Sequence, residues 1–304
     1  MGDASPPHPG LPSRADALTR LAAESFDVLV VGGGITGAGV ALDAATRGLR
    51  VALIEARDYA AGTSSRSSKL VHGGLRYLQQ GELGLVRQSA RERELLRHLA
   101  PHLVHPLPFV LPADTAGVLT RAGLRTYDLL ARVPPGLRHR EVGRRTAAEM
   151  TGGIEARAGA FVYHDCATDD ARLTLEVLHA AAAAGAVACN HVRAVALHEV
   201  GGRAAGCVAA DAVGGGELTI RATDVVNAAG VWADEVRTLE DPAAGRALRP
   251  SKGIHLVLPR SLVDATAAAL VPAPGGRRIF AIPWRSSILV GPTDADYADA
   301  LDTP

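Results

Sequence analysis

From Asp27 to Glu55 the chain reads DVLVVGGGITGAGVALDAATRGLRVALIE. Val28 to Val31 is a short apolar run suited to a buried parallel strand, Ile35 to Arg47 suits a helix, and Val51 to Ile54 reads as a second buried strand. The stretch therefore predicts a strand–helix–strand unit. Gly32 permits the tight turn out of the first strand, Gly34 lets the backbone approach a pyrophosphate, and Gly37 lets the helix pack closely on the strand. The unpaired N–H groups and dipole of the helix N-terminus then face a diphosphate without needing a basic side chain. Glu55 ends the second strand, about twenty residues on, where a carboxylate accepts hydrogen bonds from both ribose hydroxyls of an adenosine. It repels a 2′-phosphate, although Arg57 nearby softens that exclusion. With 33 glycines in the chain an ordinary Gly-rich turn is the plain alternative, but Ala41, Gly48 and Glu55 all support an ADP-binding unit. The fingerprint alone does not separate FAD from NAD.

At 304 residues and 47% hydrophobic, the chain is long enough for two domains with substantial cores. Lys+Arg and Asp+Glu both total 32, so no global field favours nucleic acid and recognition must be local. Cys166, Cys189 and Cys207 are an odd number without metal-like spacing and read as buried thiols of a reduced compartment. No apolar run approaches bilayer-spanning length, and the prefix MGDASPPHPGLPSR lacks the apolar core of a secretory signal. Residues 1–14 read as a disordered tail, with a short amphipathic helix from Ala15 to Ser25.

Beyond Glu55 comes TSSRSSKLVHGGLRYL, from Thr63 to Leu78. The hydroxyls of Thr63, Ser64, Ser65, Ser67 and Ser68, followed by Lys69, make a segment too polar for a core element and able to line a phosphate and sugar chain. After Leu70, the pair Gly73-Gly74 allows close approach of the backbone to a flat ring, while His72 and Arg76 supply a base and a cation. A solvated Ser-rich linker with an incidental histidine is the bland alternative.

The fingerprint together with TSSRSSKLVHGGLRYL resembles the FAD-dependent glycerol-3-phosphate dehydrogenases, within the larger group of flavoproteins that includes D-amino-acid oxidase. Tyr163-His164-Asp165-Cys166 with Asp169-Asp170-Ala171-Arg172-Leu173, the turn from Asp224 to Ala233, Lys252-Gly253-Ile254-His255-Leu256, Ile282-Pro283-Trp284 and Gly291-Pro292-Thr293-Asp294 are similar to later segments of that family. The resemblance implies an α/β fold. A Rossmann-like FAD-binding domain would come from residues 15–103 and 163–230, and a mainly β substrate domain, apparently truncated at its C-terminal end, from 104–162 and 231–304. FAD would contact Gly32, Gly34, Gly37 and Glu55, the segment Thr63, Ser64, Ser65, Ser67, Ser68, Lys69, Leu70, His72, Gly73 and Gly74, and later Val192, Ala228 and Gly230. The implied reaction takes sn-glycerol 3-phosphate to dihydroxyacetone phosphate, with a quinone as electron acceptor. His72 is the candidate base, since a neutral imidazole with a pKa of about 6.5 accepts a proton at neutral pH. Arg76 is the second candidate catalytic residue, either holding the substrate phosphate, where its planar donors match oxygens in pairs, or steadying the flavin, and Arg76, Tyr77, Lys252 and His255 are the candidate substrate contacts. The family also allows a homodimer. A non-catalytic nucleotide-binding fragment, an amine or amino-acid oxidase of the same superfamily and a plain NAD dehydrogenase are the alternatives. HGGLRYL argues against the oxidase, and the Ser-rich segment is left unexplained by the last.

Several segments also have purely local readings. Leu173 to Ala184 is an Ala-rich helix capped by Gly185, and Ala186 to Leu197 reads as one strand with His191-Val192-Arg193 placed to meet an adenine through backbone groups. Asp169 and Asp170 read as a helix N-cap before acid–base work. Lys252 and His255 fall in an alternating strand pattern, and Arg249 could join them on a phosphate. From Thr120 to Arg145 arginines are interleaved with Leu124, Tyr127, Leu130 and Val133. A basic amphipathic element of this kind either lies on an anionic membrane surface, making a cytoplasmic protein peripheral to the inner face of the membrane, or packs on its own domain.

Overall fold

The computed structural model describes residues 10–78, 80–113, 118–153, 159–272 and 278–302, and only the backbone of Arg76, Val118, Leu119, Pro272 and Arg278. The chain divides into two units, one built from Met1–Ser67, Asp170–Pro250 and Ala298–Pro304, the other from Ser68–Asp169 and Ser251–Tyr297.

The first unit is an α/β layer structure. Its six-stranded sheet runs Val187–Cys189, Val51–Ile54, Ser25–Val31, Glu217–Asn227, Arg203–Asp211, Val192–Val200. The first four strands are parallel and the last two extend the sheet antiparallel. Val51–Ile54 is buried along its whole length, which is why it is apolar at every position: both faces of a parallel sheet are covered. One face carries helices Ile35–Thr46 and Asp170–Ala183, meeting through Ala38, Ala41, Ala44, Leu178 and Ala181 over Val30 and Leu53. The other face buries Leu29, Ile54, Val192 and Ile220 with Ala17 and Leu21 of helix Arg14–Ala23. Each fully buried leucine or isoleucine here contributes about 1.5–3 kcal/mol of transfer free energy.

Three expectations change in this unit. Arg14, assigned to a disordered tail, opens a helix capped by Ser13, and its guanidinium bonds the Asn190 carbonyl and the Asp211 carboxylate. Residues 1–9 lie outside the described residues. The single strand expected from Ala186 to Leu197 is two strands, because Asn190 and His191 turn between them, with His191 at φ +52°. Residues 231–250 stay with this unit, where Asp234 accepts the N–H groups of Ala247 and Leu248.

The second unit is organised on a sheet ordered Leu256–Pro259, Ser287–Gly291, Arg278–Trp284, Ala268–Pro272, His105–Pro112, Ala160–Ala167, Leu70–Val71, with Arg140–Val142 also pairing to Ala160–Ala167. All these pairings are antiparallel except Ala268–Pro272 with His105–Pro112. Phe109 stacks on Tyr163 at 5.3 Å and meets Phe280 edge-on at 5.9 Å in its core. Because Leu70–Val71 pairs with Ala167 and Cys166, the chain leaves the first unit at Ser67, well before the boundary expected near Leu103, and returns at Asp170. The unit is less purely β than expected, since it also holds helices Leu83–Leu99, Val118–Leu130 and Arg144–Thr151.

The helix Val118–Leu130 settles how its basic amphipathic pattern is used. Leu124 and Tyr127 are both 1% exposed and packed into the unit's own core, so the stripe offered to a membrane surface is occupied. Among the described residues no helix is long and apolar enough to cross a membrane.

All three cysteines are buried and unpaired, and burial pushes the Cys166 thiol up to about 11, the Cys207 thiol up to about 12, and Cys189 upward. The thiolate is the reactive species, so an aromatic disulfide reagent at pH 8 should release no chromophore from the native protein and react with all three thiols after unfolding. Rapid reaction of a native thiol would contradict this burial.

Candidate functional site

In the first unit two of the three turn glycines, Gly32 and Gly37, are required by contact with backbone, and the third, Gly34, lies close to a side chain. Gly32 has φ +122°, and a Cβ there would stand 2.4 Å from the Ala228 carbonyl oxygen. A Cβ on Gly37 would stand 1.9 Å from the Gly32 carbonyl oxygen, so the helix can rest on the strand only because residue 37 has none. Gly34 is extended at the helix N-cap, and a Cβ there would meet Ser64 Oγ at 3.1 Å. Gly33, absent from the expected set, is equally confined: a Cβ would come within 2.8 Å of Glu55 Cβ and 2.9 Å of Tyr59 Cδ1. Its N–H donates to Glu55 Oε2 at 2.7 Å, while Glu55 Oε1 accepts the Arg57 N–H at 2.8 Å. Each carboxylate oxygen retains a second acceptor direction.

The parallel pairing of Ser25–Val31 with Glu217–Asn227 puts Asn227 beside Val31 and brings Ala228 against Gly32. The Ala228 N–H donates to the Val31 carbonyl, and Gly230 takes φ +59° in the following turn. Val192 is fully buried and its N–H donates to the Glu55 carbonyl at 2.8 Å. Arg57 lies over the Trp232 ring at 4.5 Å and pairs with Asp302, so its charge is already engaged.

The hydroxyl run is divided between structural tasks. Ser64 Oγ accepts the first helical N–H, from Ile35, at 2.9 Å, and Ser65 Oγ donates to the Gly62 carbonyl at 3.3 Å, both around the short 3-10 turn Thr63–Ser65. Ser67 donates to Asp170 Oδ2 through its N–H at 3.1 Å and its hydroxyl at 2.6 Å, which fixes the start of helix Asp170–Ala183. Asp170 also receives the Ala171 N–H at 2.8 Å, in keeping with a helix-terminal role. Asp169 pairs with Arg285 in the second unit.

Ser68 and Lys69 belong to the second unit with His255. Ser68 Oγ and His255 Nε2 share a hydrogen bond at 2.9 Å, and Lys69, at φ +59°, stands over the Trp284 ring at 5.4 Å. Burial, and then the positive charge of Lys69, lower the His255 imidazole below its ordinary value, so it stays neutral where a free imidazole begins to protonate. His255 lies just ahead of strand Leu256–Pro259, and Lys252 ends strand Ser251–Lys252 with its ammonium over the Tyr297 ring at 5.3 Å. Arg249, once grouped with these two, falls in the first unit.

Leu70 is part of a strand and packs on the core. His72 is exposed, its ring 5.8 Å from that of Tyr77, which packs in turn on Val86 and Tyr127. The side chain of Arg76 lies outside the described residues. Directly under the turn the Gly73 N–H donates to Asp165 Oδ1 at 2.7 Å, and the same oxygen receives Arg93 Nη1 at 2.7 Å. Sequence reasoning missed Arg93. The signal was faint: one arginine facing inward from an otherwise charged helix.

Comparison with known proteins places this geometry. The FAD dependent oxidoreductase (DAO) family matches residues 27–304. A glycerol-3-phosphate dehydrogenase 2 of Mycobacterium tuberculosis is 45% identical over 296 residues, covering 95% of this chain and 50% of that protein. An aerobic glycerol-3-phosphate dehydrogenase of Bacillus subtilis is 40% identical over 293 residues, with 94% and 53% covered. The solved glycerol-3-phosphate dehydrogenase of Bacillus halodurans, complexed with FAD, superimposes with a TM-score of 0.77 at 34% identity, over 96% of this chain and 52% of that one. The chain thus spans about half the length of these relatives. With the glycine turn, its buried parallel strands and a match over residues 27–304, the chain belongs to the FAD dependent oxidoreductase family and has its α/β FAD-binding fold.

Proposed function

We propose that this chain binds FAD and carries the oxidation of sn-glycerol 3-phosphate to dihydroxyacetone phosphate. The observation that carries the reading is that TSSRSSKLVHGGLRYL follows an intact dinucleotide turn in a chain 45% identical to a glycerol-3-phosphate dehydrogenase across 95% of its length. The residues of the first unit fit the adenosine half of FAD. Gly32 and Gly37 let the turn and the helix close against backbone, Gly34 stands at the helix N-cap where a pyrophosphate would dock, and the remaining acceptor directions of Glu55 suit ribose hydroxyls. Thr63 to Leu70, Gly73 and Gly74, with Val192, Ala228 and Gly230, complete the proposed FAD contacts, several of them through backbone.

FAD, when bound, supplies the acceptor for the hydride that leaves C2 of the substrate. His72 takes the C2 hydroxyl proton at an imidazole nitrogen, and its exposure lets that proton pass on to solvent. Arg76, Tyr77, Lys252 and His255 are the proposed substrate contacts, Lys252 as a cation for the phosphate. A quinone would be the final electron acceptor, an assignment that rests on the family resemblance.

Purified protein should show flavin absorbance that bleaches when glycerol 3-phosphate is added without oxygen. Colour that persists with this substrate but bleaches with an amino acid would overturn the substrate assignment. Gly37→Ala should abolish bound flavin, because the new methyl group meets backbone and not a movable side chain. His72→Gln should keep the flavin and lower the rate of bleaching about 10²–10⁴-fold, and an unchanged rate would remove His72 from the base role.

A further inference from the structure

The turn that carries His72 rests on a buried charge cluster to which nucleotide binding assigns no task. Building on the reading of His72 as the base, we propose that Arg93, Tyr127 and Asp165 are positioning residues, which hold the Gly73 peptide and so fix the direction in which His72 is presented.

The three side chains come from separate elements: Arg93 from helix Leu83–Leu99, Tyr127 from helix Val118–Leu130 and Asp165 from strand Ala160–Ala167. They converge on one oxygen. Asp165 Oδ1 receives the Gly73 N–H at 2.7 Å, Arg93 Nη1 at 2.7 Å and the Tyr127 hydroxyl at 3.3 Å. Arg93 Nη1 also lies 2.7 Å from the Tyr127 hydroxyl and 3.2 Å from the His164 carbonyl.

Arg93 and Asp165 are each 5% exposed, and removing two charges from water costs several kcal/mol per ion before their attraction is counted. Burial pushes the Asp165 carboxyl up from the carboxylate range, while Arg93 and the Gly73 N–H pull against it. For stability alone, apolar side chains of similar size would serve as well. What they could not supply is an acceptor aimed at one peptide N–H. The absence of a side chain at residue 73 shows how closely the turn is seated: a Cβ there would lie 2.0 Å from the Tyr127 hydroxyl and 2.6 Å from Arg93 Nη1. Gly74, at φ +80°, then turns the chain away. The peptide next to His72 is therefore anchored to two helices and a strand of the sheet, which fixes the backbone from which His72 projects.

Two triple variants of the full chain test this. Arg93→Met/Tyr127→Phe/Asp165→Leu makes the cluster apolar and removes the acceptor, whereas Arg93→Met/Tyr127→Phe/Asp165→Asn removes the charges but keeps an acceptor oxygen for Gly73. Amide hydrogen exchange at Gly73 should speed up about tenfold or more in the leucine triple and stay near wild type in the asparagine triple. With FAD bound, the leucine triple should lose about 10–100-fold in kcat with KM for glycerol 3-phosphate little changed, and the asparagine triple should recover most of that loss. Unchanged Gly73 exchange in the leucine triple, or an asparagine triple as impaired as the leucine one, overturns the proposal. If the leucine triple fails to fold, the asparagine triple decides alone: retained Gly73 protection and kcat support positioning, and their loss refutes it. Gly73 exchange needs no turnover, so it judges the anchor even where glycerol 3-phosphate proves not to be the substrate.

Discussion

The closest constraint in the first unit is backbone against backbone. The Gly32 carbonyl oxygen stands 1.9 Å from where a Cβ on residue 37 would be, and the Ala228 carbonyl oxygen 2.4 Å from where one on residue 32 would be. These two approaches set how deeply helix Ile35–Thr46 sits on strand Ser25–Val31 and how closely the turn after Glu217–Asn227 abuts it. Once the helix is that low, only small residues fit beneath it, and Ala38, Ala41 and Ala44 face Leu178 and Ala181 of the neighbouring helix. Each alanine buries little surface, so cohesion here comes from many close dispersion contacts. The same compactness sets the N-terminus of the helix beside the glycine turn, where its first N–H, from Ile35, is accepted by Ser64 Oγ.

The second unit solves the opposite problem. Its sheet is packed by large side chains, with Phe109 in ring contact with both Tyr163 and Phe280. The same unit also buries the Arg93–Asp165 pair, whose hydrogen bonds reach backbone as well as each other. The cofactor contacts proposed for the first unit would be made by backbone that lacks side chains, whereas the base proposed in the second, His72, is a side chain whose neighbouring peptide is anchored at Asp165.

What could be read in the sequence follows this division. The nucleotide unit was legible because its signals are local: an apolar run, a glycine turn and an acidic strand end lie within 29 consecutive residues, Asp27 to Glu55. Boundaries were not, because the pairing of Leu70–Val71 with Cys166 and Ala167 joins segments nearly a hundred positions apart, and nothing near Ser67 announces it. The break at Asn190 was hidden for a similar reason: His191 is held by the Arg57 carbonyl, a partner far away in sequence. Tyr127 was placed correctly on the apolar face of a helix. Its hydroxyl, directed at Asp165 and Arg93, belongs to a tertiary arrangement that periodicity cannot express.

The hydroxyl run has separate protein partners along its length, a division that its sequence does not reveal. Read as a row of donors, Ser64 to Ser68 would all face one ligand. In the fold they part: Ser64 completes a helix N-terminus, Ser67 binds the first residue of another helix, and Ser68 joins His255 in the other unit. The chain changes units between Ser67 and Ser68, and on the return Thr168 donates its N–H to the Lys69 carbonyl while Asp170 holds Ser67. Small hydroxyl side chains suit such a crossing, since each satisfies a nearby polar group and none needs an apolar pocket. The composition of the segment is thus set as much by the need to pass from one unit to the other as by any cofactor. The cofactor contacts proposed for this segment would then draw on its backbone groups and on the hydroxyls' remaining lone pairs, so that they would depend on the segment's conformation more than on its count of serines.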